Sequence, residues 1–209
     1  WNLMESSMFK PSSMDLIRAG LQDLDRARAL FGQLKADAIA DGRCAELLGV
    51  LAHACDPDVA LGNFVDIVNA MQSSRRDLDR VIPDVGALRR LVTVLGASDA
   101  MGKFMRFKPE LVEAASVGSA DSRLFNRAQR RARLLMEVGA DPDDQAMPVA
   151  SKDLAEAATA LRACYRRQLA AIIAQDVMAE DPICIQPTIS RELSDLADAA
   201  LEGALAIAR

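Results

Sequence analysis

The chain has few aromatic residues: six Phe, one Tyr and one Trp make up 4% of it. Sheets draw on aromatic and β-branched side chains in alternating runs. Few stretches here combine the two, so a sheet has little support. Histidine occurs once, at His53, and the four cysteines (Cys44, Cys55, Cys164, Cys184) lie far apart with no Cys-x-x-Cys pair. A metal site needs tighter clustering, which leaves reduced, mostly buried thiols as the expected state. No nucleophile is marked beside His53, so a capping or packing role at a helix end is expected rather than catalysis. No apolar run approaches the roughly 20 residues of a membrane span, and no charged-then-apolar leader opens the chain. A cytoplasmic location with no membrane association is therefore expected. Acidic residues outnumber basic ones, 30 to 25, so the dominant positive field of a nucleic-acid binder is missing. The opening Trp1-Asn-Leu-Met reads as part of something longer.

What the chain does have is alanine and leucine at helical spacing, with legible ends. Ser12-Ser13 caps a short helix, Met14 to Ala19, that Gly20 ends. A helix from Asp25 to Ala40 follows, with Gly42 as its stop, and then one from Arg43 to Ala54. Asp56-Pro57 is an N-cap with proline at the first helical position. Behind it Phe64, Ile67, Val68 and Met71 form one stripe. Ser73 or Ser74 starts a charged helix through Val81. Ile82-Pro83-Asp84 breaks it, and Leu88, Leu91, Val92 and Leu95 repeat the stripe. Gly96 ends that helix, Ser98 or Asp99 caps the next, and Pro109 opens another through Ala115.

Val117 to Asp121 reads as a subdomain boundary. It gives 1–117 as a bundle of short helices and 118–209 as a set of longer ones. These run from Asp121 to Val138 with Gly139 as a left-handed cap, from Ser151 to Val177 with Leu154 and Leu161 on one face, and through a last helix beyond a break at Met178 to Pro187. The last helix places Leu193, Leu196, Ala197, Ala200, Leu201, Ala204, Leu205 and Ala208 on an apolar stripe opposite Arg191, Asp195, Asp198 and Glu202. Such a stripe calls for a cover, either neighbouring helices or a further domain. The fold expected is all-α, an irregular multi-helix bundle.

Candidate chemistry is sparse. Asp141-Pro-Asp-Asp144 gathers three carboxylates in what reads as a mobile, solvated loop. Gly96-Ala-Ser-Asp-Ala-Met-Gly102 opens a helix as a phosphate loop does. It lacks the Gly-Lys-Ser/Thr ending and a preceding strand, so a tight helix–helix corner is the better reading, with Gly96 supplying backbone freedom and Gly102 close packing. Arg127, Arg130 and Arg131 form one basic stretch together with Arg123 and Arg133, and Arg162, Arg166 and Arg167 form another. They read either as solvated faces paired with Glu137 and Glu156, or as a surface that meets acidic protein or nucleotide phosphate. No catalytic, cofactor-binding or metal-binding residue is assigned.

The run Leu91-Val-Thr-Val-Leu-Gly-Ala-Ser-Asp-Ala-Met-Gly-Lys-Phe-Met-Arg-Phe-Lys-Pro109 resembles a VLGSS-x-x-LG-x-x-L-x-x-HPE signature. Ala160-Leu-Arg-Ala-Cys-Tyr-Arg-Arg-Gln-Leu169 is similar to LR-x-x-YRRELLRIAARDL, and Glu192-Leu-Ser-Asp-Leu-Ala-Asp-Ala-Ala-Leu201 to ELSDLADAALEAAL. The family they point to is that of the bifunctional glutamine synthetase adenylyltransferase/adenylyl-removing enzymes, and the resemblance spans nearly the whole chain. Lys108 departs from it, standing where the family usually has His.

The resemblance implies the N-terminal part of a larger nucleotidyltransferase of two similar halves. One half would remove AMP by phosphorolysis and the other add it from ATP. The cofactors implied for the whole enzyme are Mg²⁺ and ATP. The implied partners are glutamine synthetase and a PII-type signalling protein that, with glutamine, regulates nitrogen assimilation. The family's Gly-x-x-Glu-Leu-x-x-x-Ser-Asp-x-Asp catalytic segment has no match between Trp1 and Arg209, so the chain by itself is expected to be inactive. A free-standing helical interaction module is the rival reading. A helical DNA-binding regulator would need a basic recognition helix, for which Asp121 to Arg133 is the candidate.

Overall fold

The computed structural model describes residues 9–36, 41–71, 82–108, 110–116 and 125–209. Ten α-helices and no strand lie among these residues. The protein is all-α. It divides into two compact units, residues 1–116 and 117–209.

The first unit holds α1 (Ser13–Arg18), α2 (Leu24–Ala36), α3 (Asp41–Leu51), α4 (Pro57–Ala70), α5 (Val85–Ala97), α6 (Asp99–Phe107) and α7 (Glu110–Ser116). Side-chain caps set most of their starts, because the first amides of a helix have no partner inside it. Ser12 and Asp15 form a reciprocal box at α1, Asp56 accepts from the Val59 N–H at 3.0 Å ahead of Pro57, and Asp84 accepts from Ala87 at 2.7 Å. Gly20, at φ +82°, turns the chain out of α1. Asp58 then accepts the N–H groups of Gln22 at 2.8 Å and Asp23 at 3.3 Å, tying α4 to that turn.

Helix α4 packs on α2, α5 and α6. Its stripe of Phe64, Ile67, Val68 and Met71 is buried, as are Leu88, Leu91, Val92 and Leu95 of α5. Each such side chain contributes roughly 1.5–3 kcal/mol of burial.

Some expected boundaries fail. Gly42 lies inside α3 rather than stopping a helix, with open space where its Cβ would be. An exposed glycine only lowers helix propensity, and packing of α3 on α5 outweighs that. The cysteines split evenly: Cys44 and Cys164 are buried, Cys55 and Cys184 exposed, and all four are free thiols. His53 is exposed in the turn after α3, and its backbone N–H donates to the Val50 carbonyl at 3.0 Å. The charged helix expected from Ser73 or Ser74 to Val81, Pro109, and the boundary at Val117 to Asp121 lie outside the described residues.

The second unit holds α8 (Arg127–Val138), α9 (Leu154–Val177) and α10 (Pro182–Ala208). Asn126 and Gln129 cap α8 reciprocally, and Gly139 ends it in the left-handed conformation at φ +77°. Asp153 and Asp181 cap α9 and α10. The break expected through Pro187 ends instead at Asp181. Pro182 occupies the first helical position and Pro187 sits within α10. Pro187 removes one N–H from the ladder, while Ile189, Glu192 and Leu196 just beyond it are buried and hold the helix against α8 and α9.

The rotation of α10 also departs from expectation. Its buried line is Glu192, Leu196, Ala199, Gly203 and Ala206. Of the expected stripe Leu196 is buried, whereas Leu193, Leu201 and Leu205 are 43%, 67% and 53% exposed. Leu154 likewise projects to solvent. Gly203 explains the choice of face, since a Cβ there would lie 2.7 Å from Leu161 Cδ1. The residues 141–150 are tied to the helices at several points: the Ala150 N–H donates to the Ala206 carbonyl at 2.8 Å, and Arg131 binds two carbonyls of the same loop.

Candidate functional site

The residues that carry the resemblance in the first unit form the corner between α5 and α6. Ser98 ends one helix and caps the next, its hydroxyl accepting from the Met101 N–H at 3.2 Å. Asp99, held by Lys103 at 2.6 Å, has its carboxyl lowered below the usual range by that hydrogen bond. Gly96 does not use unusual backbone freedom, since the described glycines with positive φ are Gly20 and Gly139. A Cβ at Gly96 would come within 2.8 Å of Ala54 Cβ and 3.0 Å of the Asp56 carbonyl oxygen. Gly102 is pressed onto Asn63, whose amide donates to the Leu95 carbonyl at 3.3 Å. The corner is a close contact between helices, and its volume is filled by protein.

Of the arginines of the second unit expected at the surface, Arg130 is buried. Arg130 lies four residues before Leu134 and eight before Val138, on the buried line of α8, and its side chain is 2% exposed. Its Nη1 donates to Gln168 Oε1 at 2.9 Å and its Nη2 forms an ion pair with Glu192. Neither Arg130 Nε nor Glu192 Oε2 completes a hydrogen bond of good geometry. Burial pulls the guanidinium below the usual arginine range, and the charge of Asp195 opposes that. Gln168 also donates to Cys164 Sγ at 3.6 Å, and burial raises that thiol's pKa. A buried charge requires such partners.

Arg131 is committed as well. Its fork meets both carboxylate oxygens of Glu202, at 2.8 and 2.7 Å, and donates to the carbonyls of Pro142 and Asp144, each at 2.6 Å. The planar guanidinium suits this four-way contact. Arg127 pairs with Asp198 at 3.0 Å in the open. Arg167 pairs with Glu137 at 3.6 Å, and Glu156 with Lys152 at 3.5 Å. Arg162 is exposed and Arg166 half-buried.

Two of the three loop carboxylates accept hydrogen bonds within the loop. Asp141 accepts from the Asp143 N–H, and Asp144 from Ala146 and Met147, which lowers its pKa. Among the described residues no three His, Cys, Asp or Glu side chains gather as metal ligands. No described helix is long and apolar enough to cross a membrane. The buried partners Glu192 and Gln168 were missed from sequence. Their signal is register: Glu192 stands four, seven and eleven residues before Leu196, Ala199 and Gly203.

Helices packed on one another, with Arg127, Arg130, Arg131 and Arg167 paired to carboxylates of the same unit, define a helical framework. Over 206 residues, 99% of its length, the chain is 96% identical to a bifunctional glutamine synthetase adenylyltransferase/adenylyl-removing enzyme of Bifidobacterium longum subsp. infantis. It is 82% identical to one of Bifidobacterium longum over the same share, and 34% identical to one of Cutibacterium acnes over 94% of the chain. In each case it covers 19% of the relative. The chain spans about a fifth of the length of the curated relatives it matches. No protein-family model matches it, and no solved structure does. Over nearly its whole length the chain thus matches about a fifth of a bifunctional glutamine synthetase adenylyltransferase/adenylyl-removing enzyme.

Proposed function

We propose that the chain is the N-terminal helical region of an enzyme that adds AMP to glutamine synthetase and removes it, and that it supplies framework rather than reacting groups. The observation that carries this reading is the 96% identity over 99% of the chain. In the whole enzyme ATP would supply the AMP, and Mg²⁺ would neutralise charge on the phosphoryl oxygens. The residues present do not fit that role. Asp141 and Asp144 accept backbone N–H groups in their own turns, and Arg130 and Arg131 are held by Glu192 and Glu202. No step of the transfer is routed through this chain. Glutamine synthetase as substrate, regulation by a PII-type protein and a cytoplasmic setting belong to the same reading.

The test compares the 209-residue chain with the family-length protein. Each is incubated with adenylylated and unmodified glutamine synthetase, together with phosphate, ATP and Mg²⁺. Turnover is expected from the family-length protein alone. Metal-dependent turnover by the purified 209-residue chain would place reacting groups within it. A family-length protein that leaves glutamine synthetase unchanged would remove the functional reading altogether.

A further inference from the structure

Helix α10 carries three strips, and one has no partner among the described residues. The first, from Glu192 to Ala206, is buried against α8 and α9. The second is charged, and its Asp198 and Glu202 are neutralised by Arg127 and Arg131. The third consists of Leu193, Ala197, Leu201, Ala204, Leu205 and Ala208, all exposed. Contiguous exposed apolar strips of this kind are uncommon on a finished surface and mark places where something packs.

The spacing says what kind of element fits. Leu193, Ala197, Leu201, Ala204 and Ala208 are four, four, three and four residues apart, the alternation by which one helix receives another at a shallow crossing angle. Alanines between the leucines let a second backbone come close. The strip is roughly 22 Å long at 1.5 Å per residue, enough for about four turns of a partner helix.

The identity of the partner follows from length. The chain covers 19% of its relatives, so in a family-length protein about four-fifths of the polypeptide is tethered to this unit. A tethered segment acts at an effective concentration on the order of millimolar, so a separate protein must bind far more tightly to displace it. We infer that this strip of α10 is the seat of a helix from the remainder of the same family-length polypeptide, joining the helical framework to the rest of the enzyme. The inference rests on the match to these relatives and not on the reaction proposed above.

Two cysteine variants test it, Leu201→Cys on the strip and Arg191→Cys on the charged side. Each is made in the 209-residue chain and in the family-length protein, and maleimide labelling of each position is read by peptide mass mapping. Position 201 should label freely in the 209-residue chain and about tenfold or more slowly in the family-length protein, because reaction then needs local opening. Position 191 should label alike in both. Equal labelling at 201 in both proteins overturns the proposal. So does equal slowing at both positions, or protection of 201 in the 209-residue chain that grows with its concentration, which would make the occupant a second copy. Leu201→Asp is the companion variant, read by thermal unfolding. It should lower the melting temperature of the family-length protein and leave that of the 209-residue chain nearly unchanged, and equal losses would count against the seat.

Discussion

Replacing Glu192 by Leu should destabilise the second unit sharply. Arg130 is 2% exposed, and Glu192 is the carboxylate in direct contact with it. Removing one partner of a buried ion pair costs about 3–5 kcal/mol, because the other charge stays buried without compensation. Two features soften the loss here: the hydrogen bond to Gln168 survives, and the charge of Asp195 still favours the guanidinium. We expect about 3 kcal/mol for Glu192→Leu, the lower end of that range. Glu192→Gln, which keeps the shape, should lose less. The double variant Arg130→Met with Glu192→Leu should lie within about 1 kcal/mol of the parent, since an apolar pair of similar volume often replaces a buried ion pair without loss.

Urea unfolding reads these differences. Tyr165 is the single tyrosine of the chain and packs on the second unit's core, so its near-ultraviolet signal reports that unit. With a slope of about 1–1.5 kcal/mol per molar urea, 3 kcal/mol moves the midpoint by about 2–3 M. The reasoning is refuted if Glu192→Leu leaves the midpoint in place, or if the double variant falls below both single ones. Either result would mean that Arg130 does not need Glu192.

Three further outcomes follow from the structure. Gly102→Ala should lower stability by about 1–3 kcal/mol through overpacking, since its Cβ would fall 2.3 Å from Asn63 Cγ. Gly32→Ala, which has nothing within 4 Å, should raise it by up to about 1 kcal/mol, and a shared sign in denaturant melts would contradict the contact argument. Arg131→Lys loses the bidentate grip on Glu202 and at least one loop carbonyl, so amides of residues 141–150 should exchange with solvent faster while those of α4 do not change. Hydrogen exchange that is unaltered in the loop would show that Arg131 does not hold it. Acid should weaken the fold through Asp15, Asp99, Asp144 and Asp181. Hydrogen bonds to Ser12, Lys103, Met147 and Cys184 respectively are the main causes that lower these carboxyls from 3.8. A depressed folded pKa contributes stability above the unfolded value and loses it as pH falls through the folded one, so the urea midpoint should hold from pH 7 to about 5 and drop below about 4. A midpoint that rises below pH 4 would reverse the sign.

The parts of the fold that were legible in the sequence rest on local chemistry. Ser12, Asp56, Asp84 and Gly139 announce helix ends because the bonds they make span three or four residues. The stripes of α4 and α5 were readable because packing surrounds these helices, six consecutive residues of α5 from Leu91 to Gly96 being buried. α10 carries two separate apolar faces, and sequence periodicity cannot choose between them. The choice is made by Leu161 needing the bare Gly203 and by Arg130 needing Glu192, both contacts across long separations. Gly96 shows the same limit: the corner was readable, but its cause lies in Ala54 and Asp56, some forty residues earlier. Pro187 misled for a related reason, since its local cost is real and the packing that overrides it is not local.

The arginine stretch at the start of α8 illustrates how charge and period compete. Read as charge, Arg127, Arg130 and Arg131 promise a basic surface. Read as period, Arg130 belongs to the core line of Leu134 and Val138, and the other two flank it. The partners decide the matter. Arg127 meets Asp198 and Arg131 meets Glu202, both at a separation of 71 residues. Four residues on in one helix therefore match four residues on in the other, so α8 and α10 run parallel along this edge in a single register. A slip by one turn would break both pairs and carry Arg130 away from its carboxylate. Exposed pairs add little energy one by one, but here they repeat a register that the buried pair already enforces. Arg130 and Arg131 thus serve as alignment devices, their charge directed to Glu192 and Glu202 of the same unit.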